Sequence, residues 1–208
     1  MTRTGLVRGL VALALALALG LAQASSSVDL RVLKRGTVYQ VELSQSVPVP
    51  PELAWEVLTD FDAMARFVPN LESSRVTRRE GPRLWITQSG VARFGPIAQR
   101  FESEREIELG PGGRIRARQV RGTLLSFESL ASISAKPGGC QIVYRVEFEP
   151  ALDLPAWVGA PLVKHEIEEQ FAAIAREMIR RRPTQPRANP QTPPLRGFSP
   201  AGSGGERR

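Results

Sequence analysis

Arg105 is the ionisable residue whose position in the sequence points most directly to chemistry. Residues 97–109 alternate in polarity, and Gln99, Ser103 and Arg105 fall on the phase of the apolar side chains. A guanidinium on that phase could donate charge-assisted hydrogen bonds to a ligand carbonyl or carboxylate. Two alternatives stay open: the end of the strand reaches solvent, or Arg105 pairs with an inward acid such as Glu128.

The single cysteine and the single histidine limit the other chemistry of the chain. A chain whose one cysteine is Cys140 cannot form an intrachain disulfide. With His165 as its one histidine, it also cannot form a zinc cluster built from Cys and His. His165 falls on the side of its helix opposite the apolar stripe, and Cys140 has no acid–base partner nearby in the sequence. We therefore predict no catalytic residue, no cofactor and no metal site.

The positive charge of the chain lies mostly at its ends. The 208 residues carry a formal net charge of +7, but residues 25–181 hold 21 basic and 20 acidic residues. A nucleic-acid-binding domain concentrates positive charge on its folded surface. The sequence therefore predicts no nucleic-acid partner.

The N-terminus has the pattern of a secretory signal peptide. Arg3 and Arg8 precede the uncharged, apolar residues 9–22, and Ala22-Gln23-Ala24 matches the small-x-small pattern that signal peptidase cleaves. We predict cleavage after Ala24 and export to the periplasm or the medium. The alternative is an uncleaved membrane anchor, although a spanning helix needs about 20 apolar residues.

Residues 182–208 differ in composition from the rest of the chain. They are rich in proline, glycine and arginine and contain few apolar side chains that could be buried. We predict a disordered tail. Weak contact of its arginines with an anionic membrane or cell-wall surface is an alternative to a tail without a partner.

Residues 25–181 read as a body of strands interrupted by short helices. Residues 28–47 predict a hairpin with its turn at Lys34-Arg35-Gly36, and Pro51 suits the first turn of a helix that Asp60 ends. A second short helix is predicted over about 63–67. The clearest later strands are 97–109, 114–121 and 141–149, each with one apolar and one charged face.

The last element is a long amphipathic helix. Its apolar residues recur at spacings of three and four, which places them in one stripe. They are Val163, Ile167, Phe171, Ile174 and Met178. Pro161 is the predicted start of the helix. A helix with one apolar face must cover something, and a curved antiparallel sheet is the natural partner.

Two neighbouring segments carry a recognisable pattern: Val47-Pro48-Val49-Pro50-Pro51-Glu52-Leu53-Ala54-Trp55-Glu56-Val57-Leu58-Thr59-Asp60-Phe61 and Phe67-Val68-Pro69-Asn70-Leu71. Together they resemble the START-like (SRPBCC) superfamily. Within it the chain is most similar to the polyketide cyclase/dehydratase and coenzyme Q-binding group. The resemblance covers about residues 28–181. One departure lies within residues 126–135, where many members have a tryptophan and this chain begins with Ser-Phe-Glu-Ser-Leu-Ala at 126–131.

The resemblance implies an α+β helix-grip fold: a curved antiparallel sheet wrapped around a long C-terminal helix, with two short helices after the first strand. It also implies an apolar cavity between sheet and helix. The expected ligand-binding residues are Tyr39, Phe67, Ile86, Gln88, Gln99, Phe101, Ser103, Arg105, Ile115, Phe127, Ile167 and Phe171.

The function that this implies is a non-enzymatic, exported binder or carrier of a lipid, quinone or polyketide-like molecule. A cyclase or dehydratase acting in the same cavity is the alternative. Aldol-type cyclisation needs a general base with a tuned pKa, and Arg105 and Glu128 are the inward candidates. A third interpretation is an interaction module whose basic tail docks on envelope surfaces. The sequence predicts neither the oligomeric state nor the identity of the ligand.

Overall fold

The computed structural model describes residues 28–94, 97–151 and 155–183. The predicted signal peptide, residues 1–24, lies outside these ranges, as does nearly all of the predicted tail. Both boundaries therefore stay predictions. No helix within the described ranges is long and apolar enough to cross a bilayer.

A curved antiparallel sheet forms the body of the molecule, and the described ranges contribute eight strands to it. Their order across the sheet is β1-β2-β8-β7-β6-β5-β4-β3. The strands are β1 Val28–Arg35, β2 Val38–Val47, β3 Leu71–Glu80, β4 Arg83–Phe94, β5 Ile97–Gly110, β6 Arg114–Gly122, β7 Leu124–Lys136 and β8 Gly139–Pro150.

Alternating polarity orients the strands as the sequence predicts. In β2 the buried side chains include Tyr39, Val41 and Leu43, and in β8 they include Ile142 and Val146. The predicted hairpin over 28–47 is confirmed, with β1 and β2 paired from Val28↔Gln45 to Arg35↔Val38. One face of each of these strands therefore contributes to the core, because side chains alternate between the two faces of a strand.

Two short helices follow the second strand rather than the first. Helix α1 covers Pro51–Thr59, and Pro51 occupies its first turn as predicted. A single 3₁₀ helix then covers Phe61–Arg66, a few residues earlier than the predicted second helix. Asp60 ends α1, because it lies between the two helices with non-helical backbone angles.

The long C-terminal helix α2 covers Ala156–Arg181, so the prediction that Pro161 starts it is wrong. Pro155 precedes the helix instead, and Pro161 lies inside it. A proline in that position cannot donate a hydrogen bond to the carbonyl four residues earlier. The predicted apolar stripe is confirmed, because Phe171, Ile174 and Met178 are buried against the sheet while Val163 and Ile167 pack at the core's edge.

The outer face of the sheet is charged. Arg118 on β6 contacts Glu106 on β5 at 2.6 Å, and Arg121 contacts Glu104 at 2.8 Å, as the alternation of arginines and glutamates predicts. Glu128 is exposed on β7. It is therefore not the inward acid that was considered as a partner for Arg105.

A compact ionic cluster fixes the end of α2 to α1. Glu177 is buried and accepts hydrogen bonds from Arg180 and from Arg181 at 2.6–2.7 Å. Arg181 also contacts Asp60 at 2.8 Å. The pKa of Glu177 falls from 4.5 to about 2 despite its burial. The hydrogen bond from Arg180 is the largest cause, and hydrogen bonding from Arg181 lowers the pKa further.

The lowered pKa of Glu177 predicts acid sensitivity. The folded-state pKa lies below the unfolded value, so this stabilisation is complete above about pH 4.5 and is lost as the pH falls toward 2. We expect Glu177→Gln to lower the free energy of unfolding by about 2 kcal/mol at pH 7 and by much less near pH 2. Urea unfolding between pH 2 and pH 7 measures this difference.

Glu168→Gln is the matched control. Glu168 is exposed on the same helix and lies 3.8 Å from Lys164. We expect Glu168→Gln to leave the free energy of unfolding nearly unchanged at both pH values, because exposed ion pairs contribute little to stability. A Glu177→Gln effect that does not change with pH would contradict the assignment.

Candidate functional site

A cavity of about 160 Å³ lies between the sheet and α2, and it is partly open. Its wall combines the short helices, the loop that follows them, six strands and the middle of α2. The lining residues are Leu58, Phe61, Met64, Val68, Asn70, Leu71, Ile86, Gln88, Phe101, Arg105, Ile107, Ile115, Ala117, Phe127, Ser129, Ala131, Tyr144, Gln170, Phe171 and Ile174. Apolar side chains make up most of this wall.

Seven of the twelve predicted ligand-binding residues line this cavity. They are Ile86, Gln88, Phe101, Arg105, Ile115, Phe127 and Phe171. All but Phe171 come from β4 to β7, and Phe171 comes from α2, so strand phase and helical stripe both place side chains on the cavity wall. Whether they bind a ligand stays a prediction.

Tyr39 and Gln99 lie away from the cavity wall. Tyr39 is buried on the inner face of β2, where its ring stacks on Phe148 at 5.5 Å. Gln99 has the predicted strand phase but is exposed, and its side chain donates to the carbonyl of Arg100. It lies near the start of β5, where the strand extends past the covered part of the sheet, so its phase does not bury it.

Ser103, Phe67 and Ile167 are also not part of the lining. Ser103 is buried opposite Gln88 in the β4–β5 ladder, and its hydroxyl has no hydrogen-bond partner among the described residues. Phe67 and Ile167 are half-buried and pack against the core instead. Neither side chain therefore contributes directly to the cavity wall.

Arg105 is the charged group in the cavity wall. Its guanidinium lies 4.0 Å above the centre of the Phe127 ring and donates to Oε1 of Gln88 at 3.3 Å. Its Nε is buried without a partner among the described residues. Gln88 is held in turn by Ser74 at 3.1 Å. Neither sequence alternative describes Arg105, because it is half-buried within β5 rather than at the end of the strand, and Glu128 is exposed.

A β-bulge accompanies the position of Arg105. Glu104 pairs with Arg121 and Arg105 pairs with Gln119, so Val120 is the extra residue on β6. A bulge bends its strand and redirects neighbouring side chains. The polarity pattern alone does not reveal this feature, since alternation on β5 continues through residue 105.

Arg105 and Tyr144 are the ionisable side chains among the described residues that line the cavity. Burial lowers the pKa of Arg105 and raises the pKa of Tyr144. Arg105 therefore carries its charge with reduced hydration, and Tyr144 stays protonated at neutral pH. Across the described ranges, no three His, Cys, Asp or Glu side chains are placed to hold a metal ion.

Several lining residues were not identified from the sequence as part of a site. Tyr144 has the phase of the apolar face of strand 141–149, and the centroid of its ring lies 5.0 Å from that of Phe171. Ser129 lies on β7 two residues after Phe127, so strand phase was the available signal. Asn70 and Gln170 lie in a loop and at the edge of the helical stripe, where alternation gives no signal.

A carboxylate on α2 connects the segments around Asn70. Glu166 is buried and accepts hydrogen bonds from the Asn70 side chain at 2.5 Å and the Arg93 backbone N–H at 2.7 Å. The backbone carbonyl of Asn70 accepts from Val91 at 3.0 Å. This part of the cavity wall is therefore built from three segments that are far apart in the sequence.

The model of a protein family described as polyketide cyclase/dehydrase and lipid transport matches residues 39–179. This range contains every residue that lines the cavity. No curated protein sequence matches the chain.

Solved structures with the same fold cover about 70–74% of the chain. A START superfamily protein from Mycobacterium smegmatis has a TM-score of 0.58 and 15% identity, over 70% of this chain and 99% of that one. The Zhui aromatase/cyclase from Streptomyces sp. R1128 has a TM-score of 0.56 and 16% identity, over 74% of this chain and 96% of that one. A STAR-related lipid transfer protein from Xanthomonas axonopodis has a TM-score of 0.58 and 12% identity, over 74% of this chain and 98% of that one.

Gly90 is the residue that allows the loop at Asn70 to approach the sheet. A Cβ on Gly90 would lie 1.9 Å from the carbonyl oxygen of Asn70 and 2.9 Å from Cζ of Phe101. We expect Gly90→Ala to lower the free energy of unfolding by about 2 kcal/mol or more, because the backbone must move. Gly110→Ala is the control, since its Cβ meets nothing closer than 3.4 Å. Equal urea midpoints for the two variants would contradict this explanation.

Proposed function

We propose, because this chain belongs to the polyketide cyclase/dehydrase and lipid transport family, that it is an exported, non-enzymatic binder or carrier of a hydrophobic small molecule held in the cavity. The observation that carries this proposal is the partly open, mainly apolar cavity between sheet and helix. Apolar walls with a few polar groups are typical of small-molecule sites.

The cavity volume limits what the site holds in this conformation. A void of about 160 Å³ is close to the size of an engineered cavity of roughly 150 Å³ that binds benzene. Pockets for drug-sized ligands are larger, about 300–1,000 Å³. A lipid or quinone would therefore place one part in the cavity and either extend through the opening or widen it.

Binding is favoured over cyclisation by the side chains on the cavity wall. A general base for aldol chemistry needs a pKa near the working pH. The ionisable groups on the described wall are a guanidinium and a phenol whose pKa is raised by burial. Turnover of a polyketide-like substrate that Arg105→Gln abolishes without unfolding the protein would favour the enzymatic alternative instead.

Uptake of an apolar ligand tests the binding proposal. We expect purified protein incubated with a total lipid extract to show a ligand-bound species in native mass spectrometry. Ala131→Phe should abolish that species, because Ala131 lines the cavity and a larger ring would fill it.

Ala135→Phe is the matched control for this experiment. Ala135 is exposed on the same strand, so the added ring should leave uptake unchanged. Thermal unfolding of both variants checks that each is folded. Absence of any bound species with the wild-type protein, or equal uptake by Ala131→Phe, would overturn the proposal.

Export is the second part of the proposal. It rests on the basic start, the apolar residues 9–22 and the cleavage pattern that ends at Ala24. An exported carrier would meet its ligand at the envelope or outside the cell.

The N-terminus of the protein made in a secreting host tests export. We expect intact-mass measurement of the exported fraction to give a chain that begins at Ser25. Replacing Ala22 and Ala24 by Leu should block cleavage, because signal peptidase requires small residues there. A full-length chain in the soluble cell interior would contradict export, and one that stays uncleaved in the membrane would favour the anchored alternative.

A further inference from the structure

Among the residues that the structure describes, no carboxylate is paired with the guanidinium of Arg105. The structure gives it one hydrogen bond, to the neutral side chain of Gln88, and one aromatic contact, to Phe127. No Asp or Glu is among the described residues that line the cavity. A guanidinium has five N–H donors in a planar fork, so most of its hydrogen-bonding capacity is unused.

The unpartnered donor belongs to the cavity wall. Arg105 lines the cavity, and its Nε is fully buried without a partner in the described structure. Burying a charge without an opposite charge is unfavourable, and the attraction to a counter-ion is strong where water is excluded. The position of Arg105 therefore favours a ligand that carries a negative charge.

The surroundings also restrict what kind of anion fits. One cation matches one negative charge, and the remaining wall consists of aromatic and aliphatic side chains such as Phe101, Phe127 and Phe171. A phosphate would need more donors than this wall supplies and more room than about 160 Å³ allows beside an apolar body. A planar carboxylate matches the guanidinium fork.

We infer that the ligand is an amphiphile with a single carboxylate, which binds the guanidinium of Arg105 while its apolar body packs against the aromatic side chains of the cavity. This inference rests on the proposed function and names its ligand class. A medium-chain fatty acid is the simplest member of that class. Tyr144 lines the same cavity and stays protonated, so its hydroxyl is a neutral polar group on the same wall.

Three eight-carbon probes that differ in their head groups test this inference. We expect isothermal titration of the purified protein at pH 7 to show octanoate binding at least tenfold more tightly than 1-octanol, with octylamine weaker than both. Octanoate binding should weaken as the pH falls through the pKa of its carboxyl group. Binding of 1-octanol should not change over that range.

Variants at Arg105 separate the charge from the cavity. Arg105→Gln should reduce the preference for octanoate over 1-octanol to twofold or less, while 1-octanol still binds. Arg105→Lys should keep a weaker preference, because the charge remains and the planar fork is lost. Arg116→Gln is the matched control, since Arg116 is exposed on the outer face of β6, and it should keep the full preference.

The outcomes distinguish this inference from the proposed function. Equal affinities of the wild-type protein for octanoate and 1-octanol would overturn the carboxylate assignment and leave a binder of neutral ligands. A full preference retained in Arg105→Gln would also overturn it. Binding of none of the probes would overturn it too, while uptake from the lipid extract would decide the proposed function separately. If Arg105→Gln does not fold, the Arg105→Lys and pH results decide the inference.

Discussion

A single helix has to cover the inner face of a sheet to which the described residues contribute eight strands, and this geometric constraint governs the rest of the structure. Helix α2 presents one apolar stripe, so it contacts the sheet along a line rather than over its whole width. The short helices and the loop at Asn70 close part of what remains. The cavity is the volume that these elements leave unfilled between the curved sheet and α2.

The chemistry of the cavity follows from one exception to its apolar wall. Strand β5 carries Ile107 and Arg105 on the same face, so the alternation that buries the isoleucine also turns Arg105 into the cavity wall, where the residue is half-buried and its Nε is buried. The protein supports that charge with neutral groups, an amide and an aromatic ring. A core that needed only stability would contain an apolar side chain here, since replacing buried ionic groups by apolar ones is often neutral or stabilising. A charge at this position is therefore consistent with the proposal that Arg105 binds a ligand.

The sequence predicts those features that depend on periodicity. Strand phase places Arg105 on the inner face and helical spacing places Phe171 on the apolar stripe, while the family resemblance adds Ile86 and Phe127, and all four line the cavity. Periodicity does not show where a strand leaves the covered region, so Gln99 has the correct phase and is exposed. It also misses Asn70, because a loop has no repeat. The start of α2 differs for a related reason: Pro155 and Pro161 both suit a helix start, and the pattern did not extend far enough upstream to choose between them.

The strand order has a consequence for how the chain acquires its structure. The N-terminal hairpin joins the sheet through β8, so Tyr39 pairs with Phe148 and Val47 pairs with Cys140 across almost the whole body. Contacts between residues so distant in sequence form slowly, because closing the long loop between them costs conformational entropy before the contacts can stabilise the fold. The cavity is therefore complete only after β8 and α2 have formed, and until then one edge of β2 is unpaired. An unpaired strand edge can pair with another chain, so the arrival of β8 both completes the sheet and removes a site of aggregation.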